Sequence, residues 1–412
     1  MTTGPALAAV LAIALAASSA RAAAPATPIS REGSSTMQNA STTVPGGRLE
    51  WRRLPDLPDP LGVAGCYVGT HKGALVVAGG ANFPTPGGGD RWTAIKIWHA
   101  AVWVLTTDDQ GGHEWIAQPP LSRPMGYGAT ASTPLGVVMI GGEDGSEVFD
   151  TVTLLAWNPA LRRLERHPLP ALPEPRCFGG AAAIGSTVYV ACGQHGANRL
   201  TADATVYRLD LTGFDPAADG PRGPKWERLP DVPGGPRTAP VVVSRAAQTG
   251  PRLCVLSGRR PDQANGDAAI EPLCDAHEFD PAVWEAAGRG LTAAGWKRLA
   301  DMPAPRMAGT AVPLPGARIA VLSGDDGRLF SQTSTLKDEH PGFPRGCLVH
   351  DAGADAWSVA GDSPTCQLAT TIAPWDGGHA LVTGEVRPRV RTPAAWLITP
   401  LEDGSQAPPR PR

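Results

Sequence analysis

The chain has 412 residues, a formal net charge of −3 at pH 7 and only 18% charged residues, so it carries no basic footprint for nucleic acid. Its 49 glycines and 43 prolines are spread along the chain rather than gathered in tracts, which argues for many tight turns and against disorder. A small, roughly neutral partner suits such a surface.

The first 24 residues read as a signal peptide: Leu7 to Ala17 is apolar, and Ala20-Arg-Ala22 or Ala22-Ala-Ala24 offers a small-residue cleavage site. The leading Met1-Thr-Thr-Gly-Pro5 lacks the usual lysine or arginine. A membrane-spanning anchor needs about 20 apolar residues, and Arg21 interrupts too soon. The expected product is periplasmic or secreted, with no membrane insertion after cleavage. Residues 25–47, rich in Ala, Ser, Thr, Gly and Pro, are expected to form a flexible leader.

From residue 48 to 400 a beat recurs. Short apolar runs end in Gly79-Gly80, Gly141-Gly142, Cys192-Gly193, Ser257-Gly258, Ser323-Gly324 and Thr383-Gly384. The second glycines, at 80, 142, 193, 258, 324 and 384, are separated by 62, 51, 65, 66 and 60 residues. A period of this size marks a β-propeller blade. Each unit reads as a small-residue strand, a turn, a strand such as Ala74-Leu-Val-Val-Ala78, a variable loop, and a strand such as Val102-Trp-Val-Leu105. A fourth element carries tryptophan before a corner: Trp51-Arg-Arg-Leu-Pro55, Trp226-Glu-Arg-Leu-Pro230 and Trp296-Lys-Arg-Leu-Ala300, with weaker copies at Trp115 and Trp357. In the second repeat Leu164-Glu165 stands where tryptophan is expected. The fold class is therefore all-β, a six-bladed propeller with four antiparallel strands per blade.

The lone tryptophan strand Leu49–Leu54 belongs to no preceding repeat, and the last repeat, ending in Ala394-Ala-Trp-Leu-Ile398, lacks a fourth strand. The two ends are expected to complete one blade, which removes the exposed edges of an open ring. Residues 401–412 read as a disordered tail. Seven cysteines give an odd count without a Cys-x-x-Cys spacing that would suggest zinc. Cys254 and Cys274 fall on expected neighbouring strands of the fourth blade, so export permits a disulfide there; the alternative is that the cysteines are small buried hydrophobes.

Propellers bind ligands where loops converge on the central axis. The residues just past the doublets are Asn82, Glu143-Asp144, Gln194-His195, Arg259-Arg260, Asp325-Asp326 and Glu385; near the first strands come Arg123, Arg176, Arg237 and Arg306, each close to a proline. These arginines serve either a substrate or the turn chemistry of the repeat itself. His99 precedes a strand and is a further candidate for ligand contact. No two histidines have metal-ligand spacing, and no metal or other cofactor is expected.

Two stretches resemble a known family. Pro60-Leu-Gly-Val-Ala-Gly65 with Ala74-Leu-Val-Val-Ala-Gly-Gly-Ala-Asn-Phe83 and Lys96-Ile-Trp-His99, and separately Gly384-Glu-Val-Arg-Pro-Arg-Val-Arg-Thr392, are similar to the kelch-type sialic acid mutarotases, the N-acetylneuraminate epimerases. In that family the first stretch comes late and the second in the middle; here they open and close the folded part, so the chain resembles a cyclically permuted branch with its break moved by two blades. A closed ring tolerates this because its termini lie side by side wherever the cut falls. The resemblance places the active-site pair on Glu385 and Arg391; Asn82, His99, Arg123, Glu143, Arg176, Arg237 and Arg306 are substrate-binding candidates from their positions in the repeats alone. It departs at Arg389, where the family commonly has glycine.

The implied activity is exchange of the α and β anomers of N-acetylneuraminate, a small sugar acid, by acid/base ring opening and reclosure. A carboxylate takes the anomeric proton, and an arginine holds a carboxylate or a developing oxyanion. Two other enzymatic uses of a propeller fit poorly. A copper oxidase needs clustered Tyr and His ligands, and a sialidase carries Ser-x-Asp-x-Gly-x-Thr-Trp turns, which are absent. The remaining alternative is an exported ring that binds a glycan or protein partner without catalysis.

Overall fold

The computed structural model describes residues 39–402 apart from 109, 197–201, 217–222 and 262–268. The expected signal peptide lies outside the described residues, as does the tail from 403.

Six antiparallel sheets repeat one plan, each strand hydrogen-bonded to the next from the inside outward. Blade 1 holds Tyr67–His71, Ala74–Ala78, Val102–Thr107 and His113–Gln118. Blade 2 holds Ala129–Thr133, Gly136–Glu143, Val148–Asn158 and Arg163–Leu169, and blade 3 Gly180–Ile184, Thr187–Gln194, Ala202–Asp210 and Glu227–Leu229. Blade 4 is Val241–Arg245, Arg252–Leu256, Ala276–Phe279 and Trp296–Leu299; blade 5 is Ala311–Leu314, Arg318–Val321, Gly346–Asp351 and Ala356–Asp362. Blade 6 joins the ends: Ile372–Trp375, Gly378–Val382 and Ala395–Glu402 come from the C-terminal side, and Gly47–Leu54 pairs with Ala395–Glu402 in unbroken register from Leu54↔Ala395 to Gly47↔Glu402. The α-helices among the described residues are two short segments, Pro281–Ala286 and Thr333–Leu336, and no described helix is long and apolar enough to cross a membrane.

Two sequence expectations need correction at the edges. The leader expected over 25–47 ends in a strand, Ala40–Val44, which pairs with Gly47–Leu54 as a fifth strand of blade 6. Leu401 and Glu402, expected to open the tail, instead finish the preceding strand.

The glycine rule follows from backbone geometry. The first doublet position is left-handed at Cys192 (φ 61°), Ser257 (φ 55°) and Thr383 (φ 52°), a region a side chain tolerates at a cost. At the second position φ runs from 96° at Gly80 to 135° at Gly324, and a Cβ on Gly324 would stand 2.7 Å from the Arg306 carbonyl carbon. Only glycine fits there, so the second position never varies while the first does.

Just before each first strand, one residue is also left-handed: Gly65, Tyr127, Phe178, Ala239, Ala308 and Ala369. Their backbones close a ring around the axis. Tyr127 N–H donates to Gly65 O, Phe178 to Tyr127, Ala239 to Phe178, Ala308 to Ala239, Ala369 to Ala308 and Gly65 to Ala369, at 2.5–2.9 Å. Beneath this belt the first strands line a central cavity of about 290 Å³ with many small residues, such as Ala129, Gly180, Ala182 and Thr310, on its wall.

Apolar faces meet between blades, giving six core clusters, one per blade interface, such as Leu75, Val77 and Leu105 of blade 1 against Ala380, Val382 and Leu397 of blade 6. The tryptophan corners latch neighbours at the rim. The indole N–H of Trp115 donates to Pro55 O, Trp226 to Pro170 O, Trp296 to Pro230 O and Trp357 to Ala300 O, each carbonyl lying at the outer corner of the preceding blade. Blade 2, which lacks the tryptophan, uses Arg166 on Pro119 O and Pro120 O instead. Blade 6 relays the latch through its extra strand: Trp51 Nε1 donates to Thr42 Oγ1 (3.0 Å), which donates to Asp362 O of blade 5 (2.8 Å).

All seven cysteines are free, so the disulfide considered for Cys254 and Cys274 is not formed. Six are buried, and burial pushes the thiols of Cys66, Cys192 and Cys254 up to about 12, as expected of inert apolar side chains.

Candidate active site

One face of the ring gathers the chemistry. The residue after each second glycine makes a single bridge with the residue before the left-handed belt: Ala64↔Ala81, Gly126↔Glu143, Cys177↔Gln194, Thr238↔Arg259, Met307↔Asp325 and Leu368↔Glu385. Six equivalent positions around one axis thus hold three carboxyl groups (Glu143, Asp325, Glu385), a cation, an amide and one alanine. Two aromatic side chains interrupt the otherwise small belt, Tyr127 and Phe178, with ring centroids 4.8 Å apart. Bulky aromatics in the left-handed region are rare, and such strain concentrates at functional sites.

Glu385 and Arg391 face each other across a hairpin, Glu385–Arg387 paired with Val390–Arg391. Arg391 Nη1 lies 2.7 Å from Glu385 Oε1; the arginine side chain is 3% exposed and the glutamate 20%. Arg391 also donates to Ala81 O and to the Tyr127 hydroxyl at 3.4 Å each, and its guanidinium sits 4.9 Å from the Phe83 ring centre. Burial alone would pull its pKa down, but the Glu385 carboxylate and Tyr127 outweigh that and hold it above the ordinary value. Arg389, at the turn with φ 63°, donates its backbone N–H to Glu385 Oε1 at 2.8 Å. Glu385 Oε1 thus has one hydrogen-bond donor and one ion-pair partner, and the carboxylate still reaches solvent, as a general base requires.

Across the belt, Glu143 is 8% exposed. Burial pushes its pKa up, and the nearby Lys96 ammonium offsets only part of that. Lys96 Nζ lies 4.2 Å from the Tyr127 ring centre and 4.9 Å from that of Trp98, and it makes no ion pair among the described residues. Burial likewise raises the Asp325 pKa and lowers that of His340.

The other expected contacts sort differently. Asn82 is buried, donates to Gly62 O (3.0 Å) and hydrogen-bonds His99 Nε2 through its Oδ1 (2.8 Å), so the two side chains brace each other beside the hairpin. Arg123 lies exposed at the rim, paired with Asp144 and Glu147 and stacked on Phe149. Arg176, Arg237 and Arg306 are buried and turned into their own blades. Arg176 binds Cys192 O and Asp203, Arg237 binds Ser257 O and Asp275, and Arg306 binds Gly346 O, pinning the start of the third strand. The structure does not bring them to the mouth. Sequence reasoning passed over Tyr127 and Phe178; the signal was an aromatic at a position that is glycine or alanine in the other four repeats.

No family model matches the chain. Among curated proteins it is similar to the N-acetylneuraminate epimerase of Yersinia enterocolitica serotype O:8 / biotype 1B, 26% identical over 255 residues that span 56% of this chain and 57% of the relative. Shorter stretches match the N-acetylneuraminate epimerases of Yersinia pestis strain Pestoides F (31% over 139 residues; 29% of this chain, 33% of the relative) and Brucella suis (33% over 127 residues; 27% and 31%). The matched stretches thus span between about a third and just over half of those relatives. A solved structure titled "Structure of YjhT" superposes with a TM-score of 0.59 at 13% identity, covering 85% of this chain and 98% of its own, which shows the shared fold.

Proposed function

We propose that this chain is a mutarotase that speeds exchange between the α and β anomers of N-acetylneuraminate or a close sugar acid. The observation that carries the reading is the Glu385–Arg391 pair: a carboxylate ion-paired with a buried guanidinium, open to solvent at the mouth of a closed ring. The relatives' names supply the substrate class, and their partial coverage is what a moved chain break would give, since a linear alignment follows only stretches in the same order.

In this reading Glu385 takes the proton of the anomeric hydroxyl, the anomeric carbonyl forms and the bond to the ring oxygen breaks. Glu143, kept protonated to higher pH by burial, gives its proton to that oxygen. Rotation exposes the other carbonyl face; reclosure returns both protons, so no net proton is gained or lost. Arg391 is already ion-paired with Glu385 and donates to Ala81 O and Tyr127, so the substrate carboxylate goes to Lys96, which makes no ion pair among the described residues. An exported ring would meet the sugar acid outside the cytoplasm, where it is released as one anomer.

Glu385→Gln separates catalysis from binding. We expect the variant to retain sugar-acid binding by saturation-transfer NMR and to lose roughly 10²- to 10⁴-fold in anomer-exchange rate, the usual worth of a general base. A variant that exchanges anomers as fast as the wild type rejects this assignment, and a wild type that binds without any exchange activity makes the ring a binding module.

A further inference from the structure

The hairpin that carries the proposed base also grips both neighbouring blades. From Arg389, Nε donates to Arg91 O (2.8 Å) and Nη2 to Ala94 O, while the guanidinium lies 3.9 Å from the Phe83 ring centre and 5.9 Å from that of Trp92. Residues 83–96 belong to the long loop of blade 1, which ends in Lys96. On the other side, Arg387 Nη1 donates to Asp338 O (2.7 Å) in the blade 5 insertion, and the Asp338 carboxylate receives Trp92 Nε1 (3.1 Å) and pairs with Arg91 (3.4 Å). The 83–96 strap is therefore fastened at one end to the hairpin and at the other to blade 5.

We infer that Arg389 is a positioning residue: a clasp that holds the 83–96 strap against the Glu385 hairpin and so fixes Lys96 where the substrate carboxylate arrives. The backbone supports this. Position 389 is left-handed, where a non-glycine residue is disfavoured, and glycine there would still donate its N–H to Glu385. The side chain is kept against that cost, and every contact made by its guanidinium falls on the strap. A strap released from the clasp samples conformations in which Lys96 is misplaced, and apparent affinity falls by the fraction lost.

The kinetic part rests on the mutarotase reading; the structural part does not. Hydrogen exchange of the free protein is compared for wild type, Arg389→Gly and Arg389→Lys. Arg389→Gly is expected to raise exchange across residues 84–96 by roughly tenfold, with Arg389→Lys in between, because it keeps one donor for the strap carbonyls. Under the same reading KM rises about three- to tenfold while kcat stays within about threefold, since Glu385, Arg391 and the residue 389 N–H remain. Unchanged exchange in Arg389→Gly overturns the clasp even if the protein is an active mutarotase. Faster exchange with KM unmoved overturns the positioning role. If the wild type shows no exchange of anomers, the hydrogen-exchange comparison still decides the clasp.

Discussion

Replacing Thr42 by valine tests how the ring is sealed. Thr42 and Trp51 are each 1% exposed, and the Thr42 hydroxyl both accepts from the Trp51 indole and donates to Asp362 O. Valine keeps the shape and removes both bonds. The orphaned indole N–H is buried and costs about 1–3 kcal/mol, while Asp362 O borders solvent and adds less, for a loss of about 2–3 kcal/mol. At ~2.1 cal/mol/K per residue over roughly 360 residues, the unfolding entropy is about 0.8 kcal/mol/K, so Tm falls by about 3 °C. Thr42→Ser keeps the relay and gives up one methyl, about 0.8 kcal/mol. Urea unfolding of both variants, with Trp51→Phe and the Thr42→Val/Trp51→Phe double variant, isolates the pair; the double variant costs less than the sum by about 1 kcal/mol. Equal stability of Thr42→Val and Thr42→Ser, or strict additivity in the cycle, refutes the relay.

Two further perturbations probe the titrating groups. The folded-state pKa of Glu143 is raised, so its contribution to stability is full below the ordinary glutamate value near 4.3 and is lost as pH rises through the raised value. Glu143→Gln should therefore match wild-type Tm near pH 4 and exceed it at pH 7, while anomer exchange falls by about 10²-fold; an equal Tm gain at both pH values contradicts the burial argument. His379, facing the central cavity, has its pKa lowered by burial from 6.5 to about 4. Its share of stability is present above pH 6.5 and lost as pH falls through 4, so His379→Gln should flatten the acid side of the stability profile in that window, and a profile parallel to wild type counts against it.

The ring was legible because its constraints are local. A second glycine forced by φ near 100° or beyond recurs at every repeat, and an indole reaching the preceding corner recurs in four of the six. The strand Ala40–Val44 was not legible: only Thr42 and Val44 of its five residues are buried, and the Thr42 hydroxyl is held partly by Asp362 O, 320 residues along the chain. The arginines failed for the same reason. An arginine beside a proline looks alike at 123, 176, 237 and 306, and what buries three of them is a carboxylate or carbonyl tens of residues away, such as Asp203, Asp275 or Gly346. Glu385 and Arg391 were singled out through the resemblance of their nine-residue stretch, and the hairpin explains the spacing: residues six apart face each other across a tight turn. Lys96 sits within the stretch Lys96-Ile-Trp-His99, yet its placement over Tyr127 is a contact only the folded ring creates.

The most direct measurement is a ¹H NMR time course of freshly released α-N-acetylneuraminate with catalytic amounts of the protein. The account predicts that relaxation to the equilibrium anomer ratio speeds up in proportion to protein concentration, with the final ratio unchanged. A time course that matches buffer alone at every protein concentration contradicts it.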